Sequence, residues 1–289
     1  MKTVDITYRY EAQDPPARSR PLDSDAALLR LDDGNRAFAG LLESLTDEHD
    51  LVQRVIQVDP RDLGILPGDV GAPRQNPFAA VLGCSDARVP VELIFNEGPN
   101  DLFVVRVAGN SLGTDVLGSL KYAVDQLGGS LKLIVVLGHS GCGALTAAVD
   151  VFLDPTEYLP IVPKHSLRNI LDGLLIVVQA CSRKLLGTFG PDIARHPGYR
   201  QALIEASIVT NAALAAYTIQ QELEALDRTG LRAVYGVYLL ETRGVWTPRV
   251  GETRATGLAA APRDLAEFIE LGNALVHSDR IASFIRTKG

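Results

Sequence analysis

The fold is decided by two stretches of sequence, FAAVLGCSDAR at residues 78–88 and LIVVLGHSGCG at residues 133–143. Each begins with a short apolar run that stops at a glycine, and such a run predicts a buried strand. A potential metal ligand follows each run, Cys84 after the first and His139 after the second. Because ligands bind at the carboxyl edge of an open parallel sheet, the pattern predicts a site at that edge.

A third soft ligand lies beside the second strand. His139 and Cys142 are three residues apart, so both side chains can reach one ion, and Cys84 stands 55 residues before His139. A set of two cysteines and one histidine suits zinc, and three protein ligands leave the fourth position for water, whose pKa zinc lowers to about 7. The alternative is a buried cysteine pair beside a core histidine. The flanking residues favour zinc.

Asp86 and Arg88 stand next to the first ligand. An arginine fork can hold a carboxylate through two hydrogen bonds. Held in this way, Asp86 can accept a hydrogen bond from a water on the zinc, and released from the arginine it could coordinate the metal. The alternative is a surface salt bridge, which contributes little to stability.

These segments resemble the C-x-D-x-R and H-x-x-C motifs of the β-class carbonic anhydrases. Residues 31–38, with Gly34 and Asn35, are similar to the L-x-x-G-N-x-x-F pattern of the family's N-terminal helix. The resemblance covers residues 28–149 and resumes more weakly over residues 209–245. Two separated motifs at this spacing make a specific pattern.

The resemblance implies zinc-dependent, reversible hydration of carbon dioxide to bicarbonate and a proton. It implies that Cys84, His139 and Cys142 hold the zinc ion and that Asp86 and Arg88 form the catalytic pair. Four further residues match the family and are expected to bind the substrate. Gly143 would do so through its backbone amide, and the others through their side chains: Gln75, Phe103 and Tyr122.

Two other functions remain open on the same residues. Carbonyl sulfide and carbon disulfide hydrolases resemble this family and use the same ligands. A non-catalytic zinc module that binds a partner protein through residues 150–208 is the third hypothesis. The intact Asp86 and Arg88 favour an enzyme over that module.

The resemblance also implies an assembly. A homodimer or a dimer of dimers is expected, with the N-terminal helix packed across the partner and with Gln75, Phe103 and Tyr122 serving the partner's zinc. In some members the aspartate closes the site by coordinating zinc, and a tryptophan three residues before the first cysteine supports that state. Val81 stands at this position, so we expect Asp86 to stay on Arg88.

Composition excludes several classes of protein. The 289 residues are 46% hydrophobic and 22% charged, which is typical of a globular protein, and the net charge of −7 argues against nucleic acid or an anionic membrane as partner. The first residues lack the apolar segment of a secretory signal, and we expect no membrane span. Three cysteines cannot form a complete disulfide framework, so we expect a cytoplasmic protein.

The order of predicted elements gives the fold class. Strands alternate with helices, which predicts an α/β fold with a parallel-rich central sheet flanked by helices, similar to the β-carbonic anhydrases. We expect one domain over residues 1–289, with an extended arm at 1–22, a helix beginning at Asp23 or Ser24 and running to Leu45, and a long loop at 46–76. Residues 150–208 are an enlarged helical insert whose apolar first helix forms domain core or a subunit interface.

Overall fold

The computed structural model describes residues 3–11, 20–41, 43–45, 51–64, 71–161, 163, 165–227, 230–250 and 257–286. Its strands are β1 (Thr3–Tyr10), β2 (Leu51–Val58), β3 (Ala79–Gly83), β4 (Leu102–Arg106), β5 (Leu133–His139), β6 (Arg232–Tyr238), β7 (Val245–Trp246) and β8 (Ala259–Ala260). Its α-helices are α1 (Ser24–Ala39), α2 (Val91–Ile94), α3 (Thr114–Leu127), α4 (Gly143–Leu153), α5 (His165–Phe189), α6 (Tyr199–Ala225), α7 (Leu265–Val276) and α8 (Asp279–Arg286).

The central sheet has six strands in the order β4-β3-β5-β6-β7, with β8 also paired to β6. The pairs β3–β4, β3–β5 and β5–β6 are parallel, whereas β7 and β8 run antiparallel to β6. The predicted parallel-rich sheet is therefore confirmed. In the register, Gly83 lies opposite both Leu137 and Arg106, so the carboxyl ends of three strands meet at one edge.

Helices cover both faces of this sheet because its central strands are apolar on both sides. Ala80 and Leu82 of β3 belong to the core under α3, α4, α5 and α6. Ala79 and Val81 point the other way, into a second core shared with α1 and α2. Cys84, the first zinc ligand predicted from the sequence, therefore follows directly after a fully buried strand.

The two insert helices form domain core. Helix α6 packs along β5 and β6, and α5 packs on α4 and α6. Leu171, Leu174 and Val178 of α5 are almost fully buried within this chain, so this side of the helix forms domain core, whereas Ile176 on the same helix is 67% exposed. Helix α6 is long and apolar enough to cross a membrane by length and composition, but 78% of its most apolar window is buried inside the protein.

The N-terminal region differs from the predicted arm and loop. Strand β1 lies within the expected arm, and β2 lies within the expected loop at 46–76. They form a separate two-stranded parallel sheet in which Thr3 pairs with Leu51. Five of the eight residues of β2 are apolar, and Ile56 and Val58, which share one face of the strand, are buried. Residues 15 and 16, the paired prolines of the arm, lie outside the described residues.

Helix α1 begins as predicted and ends earlier. The Asp23 side chain caps it by accepting a hydrogen bond of 2.8 Å from the Ala26 amide, and the helix stops at Ala39 rather than at Leu45. Leu31 is fully buried on the chain's own sheet. Leu29 of the same helix is 58% exposed, so the expected packing of α1 across a partner subunit stays a prediction.

The Gly34–Asn35 pair explains how α1 lies so close to its own sheet. A Cβ at Gly34 would lie 1.9 Å from the carbonyl oxygen of Phe95, so glycine is needed for the close approach. The buried Asn35 side chain donates to the carbonyls of Ile94 and Arg243 and accepts from the Val245 amide. Asn35 therefore joins α1 to the end of α2 and to the start of β7.

Candidate metal centre

Cys84 is the first residue after β3 and its side chain is buried. The Gly109 amide donates to its Sγ at 3.4 Å, from a turn in which Gly109 has φ of +64°. The Arg106 side chain donates to the carbonyls of Cys84 at 2.9 Å and of Asp86 at 2.5 Å. The loop that carries the first predicted ligand is therefore fixed from the neighbouring strand.

His139 ends β5 and is fully buried. Its Nδ1 lies 3.0 Å from the Ser140 carbonyl oxygen, and its Nε2 has no hydrogen-bond partner among the described residues. Since Nδ1 donates to that carbonyl, the lone pair is on Nε2. A buried nitrogen without a partner is costly, and a metal bond would satisfy it.

Cys142 immediately precedes α4 and completes the group. Its Sγ lies 4.0 Å from Cys84 Sγ, and the ligand atoms of Cys84, His139 and Cys142 all lie within 4.8 Å of one another. Two sulfurs bound tetrahedrally to zinc at about 2.3 Å would stand about 3.8 Å apart, so the spacing fits the metal. The structure thus brings together the three ligands predicted from the sequence.

The two thiols influence each other's ionisation. The hydrogen bond with Cys142 lowers the pKa of the Cys84 thiol, and the nearby His139 ring and backbone amides lower it further. The pKa of the Cys142 thiol is raised, because it shares that hydrogen bond with the Cys84 thiolate and is buried. A cation at this position would favour both thiolates, which is the form that binds zinc.

Asp86 is paired with Arg88. Arg88 Nε lies 2.9 Å from Asp86 Oδ1 and Arg88 Nη2 lies 2.7 Å from Oδ2, while the Arg88 amide also donates to Oδ1. The hydrogen bond with the guanidinium lowers the pKa of the Asp86 carboxyl well below its usual range. Asp86 Oδ2 lies 3.8 Å from His139 Nε2. The carboxylate is therefore beside the metal position and held on its arginine.

Three of the other predicted residues lie away from this group, and the fourth, Gly143, lies beside it. Phe103 pairs with Ala80, four residues before Cys84, which places it about 13 Å back along the sheet. Gln75 is exposed in the segment before β3, and Tyr122 on α3 is 53% exposed. Gly143 is the first residue of α4 and directly follows Cys142. One chain therefore assembles the metal ligands and does not bring the three lining side chains to them.

A second set of residues surrounds the ligands and was not predicted from the sequence. Ser140 and Gly141, the two residues between His139 and Cys142, donate hydrogen bonds to Glu241 and to Glu205 of α6 respectively. Arg280 of α8 bridges the two glutamates. The sequence carries one sign of this arrangement, a glutamate within the apolar run ALIEASIV at residues 202–209. A charge at a buried helix position needs a partner, and that partner lies 75 residues away.

The fold and the donor set define a zinc-type metal centre at the carboxyl edge of a parallel sheet. A family model described as carbonic anhydrase matches residues 79–231, which is more than half of the chain. This protein belongs to the carbonic anhydrase family, in its β class, whose members are zinc enzymes.

Individual relatives cover shorter parts of the chain. Carbonic anhydrase 2 of Mycobacterium tuberculosis is 49% identical over 98 residues, 34% of this chain and 44% of the relative. A carbonic anhydrase of Mycolicibacterium smegmatis is 46% identical over the same shares. The matched segment thus spans less than half the length of these relatives. Among solved structures, the β-carbonic anhydrase CcaA is 26% identical with a TM-score of 0.46, covering 60% of this chain and 80% of that one.

Proposed function

We propose that this protein catalyses the zinc-dependent, reversible hydration of carbon dioxide to bicarbonate and a proton. One observation carries the proposal: three buried soft ligand atoms lie within 4.8 Å of one another, beside a carboxylate that is held on an arginine. Zinc bound there supplies a Lewis acid that lowers the pKa of water to about 7.

The residues around the metal position have separate tasks in this proposal. Asp86 stays ionised on Arg88 and accepts a hydrogen bond from the attacking water, which orients the lone pair of that water towards the substrate carbon. Asp86 Oδ2 is 3.8 Å from His139 Nε2, close enough for this contact. The Gly143 amide, at the first turn of α4, stabilises the negative charge that develops on a substrate oxygen.

The released proton leaves to solvent. Arg88 is 60% exposed and Asp86 is 18% exposed, so the pair lies between the buried ligands and bulk water. Buffer can therefore reach the site along the side of this pair. The same exposure lets carbon dioxide and bicarbonate exchange.

We further propose a homodimer, or a dimer of dimers, in which the lining residues serve the neighbouring chain's metal. Three features support it: β4 is an edge strand whose residues are half-exposed, Tyr122 is 53% exposed, and Phe103 stands about 13 Å from its own Cys84. Sedimentation velocity tests the assembly, because a fully active monomer would contradict it. All three cysteines are free thiols, which supports a reducing, cytoplasmic setting.

The substrate is tested by comparing two reactions on one preparation. Stopped-flow hydration of carbon dioxide and hydrolysis of carbonyl sulfide, measured on the same zinc-loaded protein, should show carbon dioxide as the preferred substrate. Preference for carbonyl sulfide would instead support the second hypothesis, a carbonyl sulfide or carbon disulfide hydrolase. Zinc content without either activity would leave the non-catalytic module.

A further inference from the structure

We propose that Glu205 and Arg280 are positioning residues of the metal centre. They form a buried ion pair between α6 and α8 that fixes the loop from His139 to Cys142 and thereby sets how tightly the metal is held. The inference rests on the zinc site proposed above. It assigns a role to a charged cluster that lies behind the ligands and outside the set of residues matched to the family motifs.

The first contact is to Gly141. This residue has φ of +62°, a left-handed conformation that glycine adopts without strain, and its amide donates to Glu205 Oε1 at 3.1 Å. Gly141 is adjacent to Cys142 in the chain. Holding its amide therefore holds the backbone that carries the second thiol.

Glu205 is 3% exposed and is satisfied by four N–H donors. Besides the Gly141 amide, these are Gln201 Nε2 at 3.1 Å, Arg280 Nε at 3.0 Å and Arg280 Nη2 at 2.6 Å. Burying an ion pair costs desolvation free energy, so apolar residues of similar size at the same positions often stabilise a protein as much as the ion pair does. Apolar residues could not accept the Gly141 hydrogen bond, so a role at the loop explains the pair better than stability does.

The second contact is to Ser140. Its Oγ donates to Glu241 Oε2 at 2.8 Å and accepts from the Leu240 amide at 2.9 Å, and its own amide donates to the Tyr238 carbonyl at 3.0 Å. Ser140 also provides the carbonyl that His139 Nδ1 contacts at 3.0 Å. Fixing Ser140 therefore fixes the ring orientation and the tautomer of the metal-binding histidine.

Arg280 joins the two contacts. Its Nη1 lies 2.5 Å from Glu241 Oε1 while Nε and Nη2 hold Glu205, and its side chain is 15% exposed. One guanidinium thus bridges two carboxylates, and each carboxylate holds one of the two residues between the ligands. Replacing such outer partners of a metal ligand typically weakens metal binding by roughly 10- to 100-fold.

The test measures zinc release from the zinc-loaded 289-residue protein to the colorimetric chelator 4-(2-pyridylazo)resorcinol. Arg280→Met and Glu205→Leu should release zinc roughly 10- to 100-fold faster than the wild type. Arg280→Lys keeps the charge but can bridge the two carboxylates less well, so its release rate should fall between. Arg200→Ala is the matched control. Arg200 lies near the start of α6, the helix that also carries Glu205, and its exposed ion pair with Asp150 does not involve the loop from His139 to Cys142.

Thermal unfolding of zinc-loaded and chelator-treated samples separates positioning from simple stability. If the ion pair had only a structural role, the variants would unfold at midpoints lowered equally with and without zinc, and their zinc release would be unchanged. Wild-type rates of zinc release in Arg280→Met and Arg280→Lys would overturn the inference. If Arg280→Met does not fold, Arg280→Lys and Glu241→Gln still decide, because both must release zinc faster. A wild-type protein that binds no zinc would refute the proposed function as well, whereas an active wild type with unchanged variants would refute this inference alone.

Discussion

Asp86 Oδ2 lies 3.8 Å from Nε2 of His139 while both carboxylate oxygens are held by Arg88. The carboxylate is therefore close enough to act at the metal position but is restrained from entering it. Its ionised form is favoured by the guanidinium, since the hydrogen bond with Arg88 lowers the pKa of Asp86.

The first prediction concerns this restraint. Arg88→Ala should lower kcat/KM for carbon dioxide hydration by roughly 100-fold with unchanged zinc content, because Asp86 loses its orientation. Arg61→Ala is a matched control: Arg61 holds Asp59 through the same amide and guanidinium contacts, in a turn outside the metal centre. Equal activity of the two variants would show that the Asp86–Arg88 pair has no catalytic role.

The second prediction concerns the ligands. Cys84→Ser should lose most of its zinc, because a hydroxyl is a much weaker ligand than a thiolate. Cys181→Ser should keep about one zinc per chain, since Cys181 lies on α5 and contacts Thr210 instead. Elemental analysis of both variants after dialysis gives the result. Zinc retained by Cys84→Ser would exclude this residue as a ligand.

The metal ligands could be predicted from the sequence because short apolar runs end at Cys84 and His139. Such runs identify buried strands, and the carboxyl edge of a parallel sheet then brings the ligands together. The pairing of Glu205 with Arg280 could not be predicted, because it joins two helices through a contact between residues 75 positions apart. Local periodicity carries no information about such a contact.

The same reasoning explains the errors near the N-terminus. Strand β2 is rich in apolar residues, but its partner β1 begins 48 residues earlier, and proline and glycine elsewhere in residues 46–76 suggested a loop. For α1, the helix itself was predicted from its spacing and its cap. Its packing on the chain's own sheet depends on a backbone contact at Gly34, which a sequence pattern alone does not reveal.

The third prediction tests that contact. Gly34→Ala should destabilise the protein by about 2–3 kcal/mol, because its Cβ would overlap the Phe95 carbonyl. In Gly173→Ala, on α5, the added Cβ would have its nearest neighbour at 4.0 Å, so this variant should be stabilised by about 0.5–1 kcal/mol. Urea unfolding of both variants provides the comparison. A Gly34→Ala variant as stable as the wild type would refute the close approach.

The fourth prediction concerns pH. Burial raises the pKa of the Asp32 carboxyl to about 6. Between about pH 4 and pH 6 the folded state therefore binds more protons at Asp32 than the unfolded state does, so this group lowers the free energy of unfolding as pH rises through that window. Above about pH 6, where Asp32 is ionised in both states, this loss of free energy of unfolding is complete. Its size is about 1 kcal/mol after a discount for solvent screening, because Asp32 is only half-buried.

Asp32→Asn should remove this cost and still accept the hydrogen bond that the Leu258 amide donates to Asp32 Oδ1 at 3.0 Å. Relative to the wild type, the variant should gain about 1 kcal/mol in free energy of unfolding between pH 4 and pH 7. Asp33→Asn, at the exposed neighbouring position, controls for removal of a charge from α1. A constant difference from the wild type across this range would contradict the prediction.

The most direct test of the account is stopped-flow hydration of carbon dioxide by the 289-residue protein, before zinc removal by a chelator, after zinc removal, and after zinc is added back. We predict hydration by the initial protein with about one zinc per chain, loss of hydration when zinc is removed, recovery when it is restored, and no recovery in Cys84→Ser. Full hydration by protein that carries no metal would contradict a zinc centre formed by Cys84, His139 and Cys142.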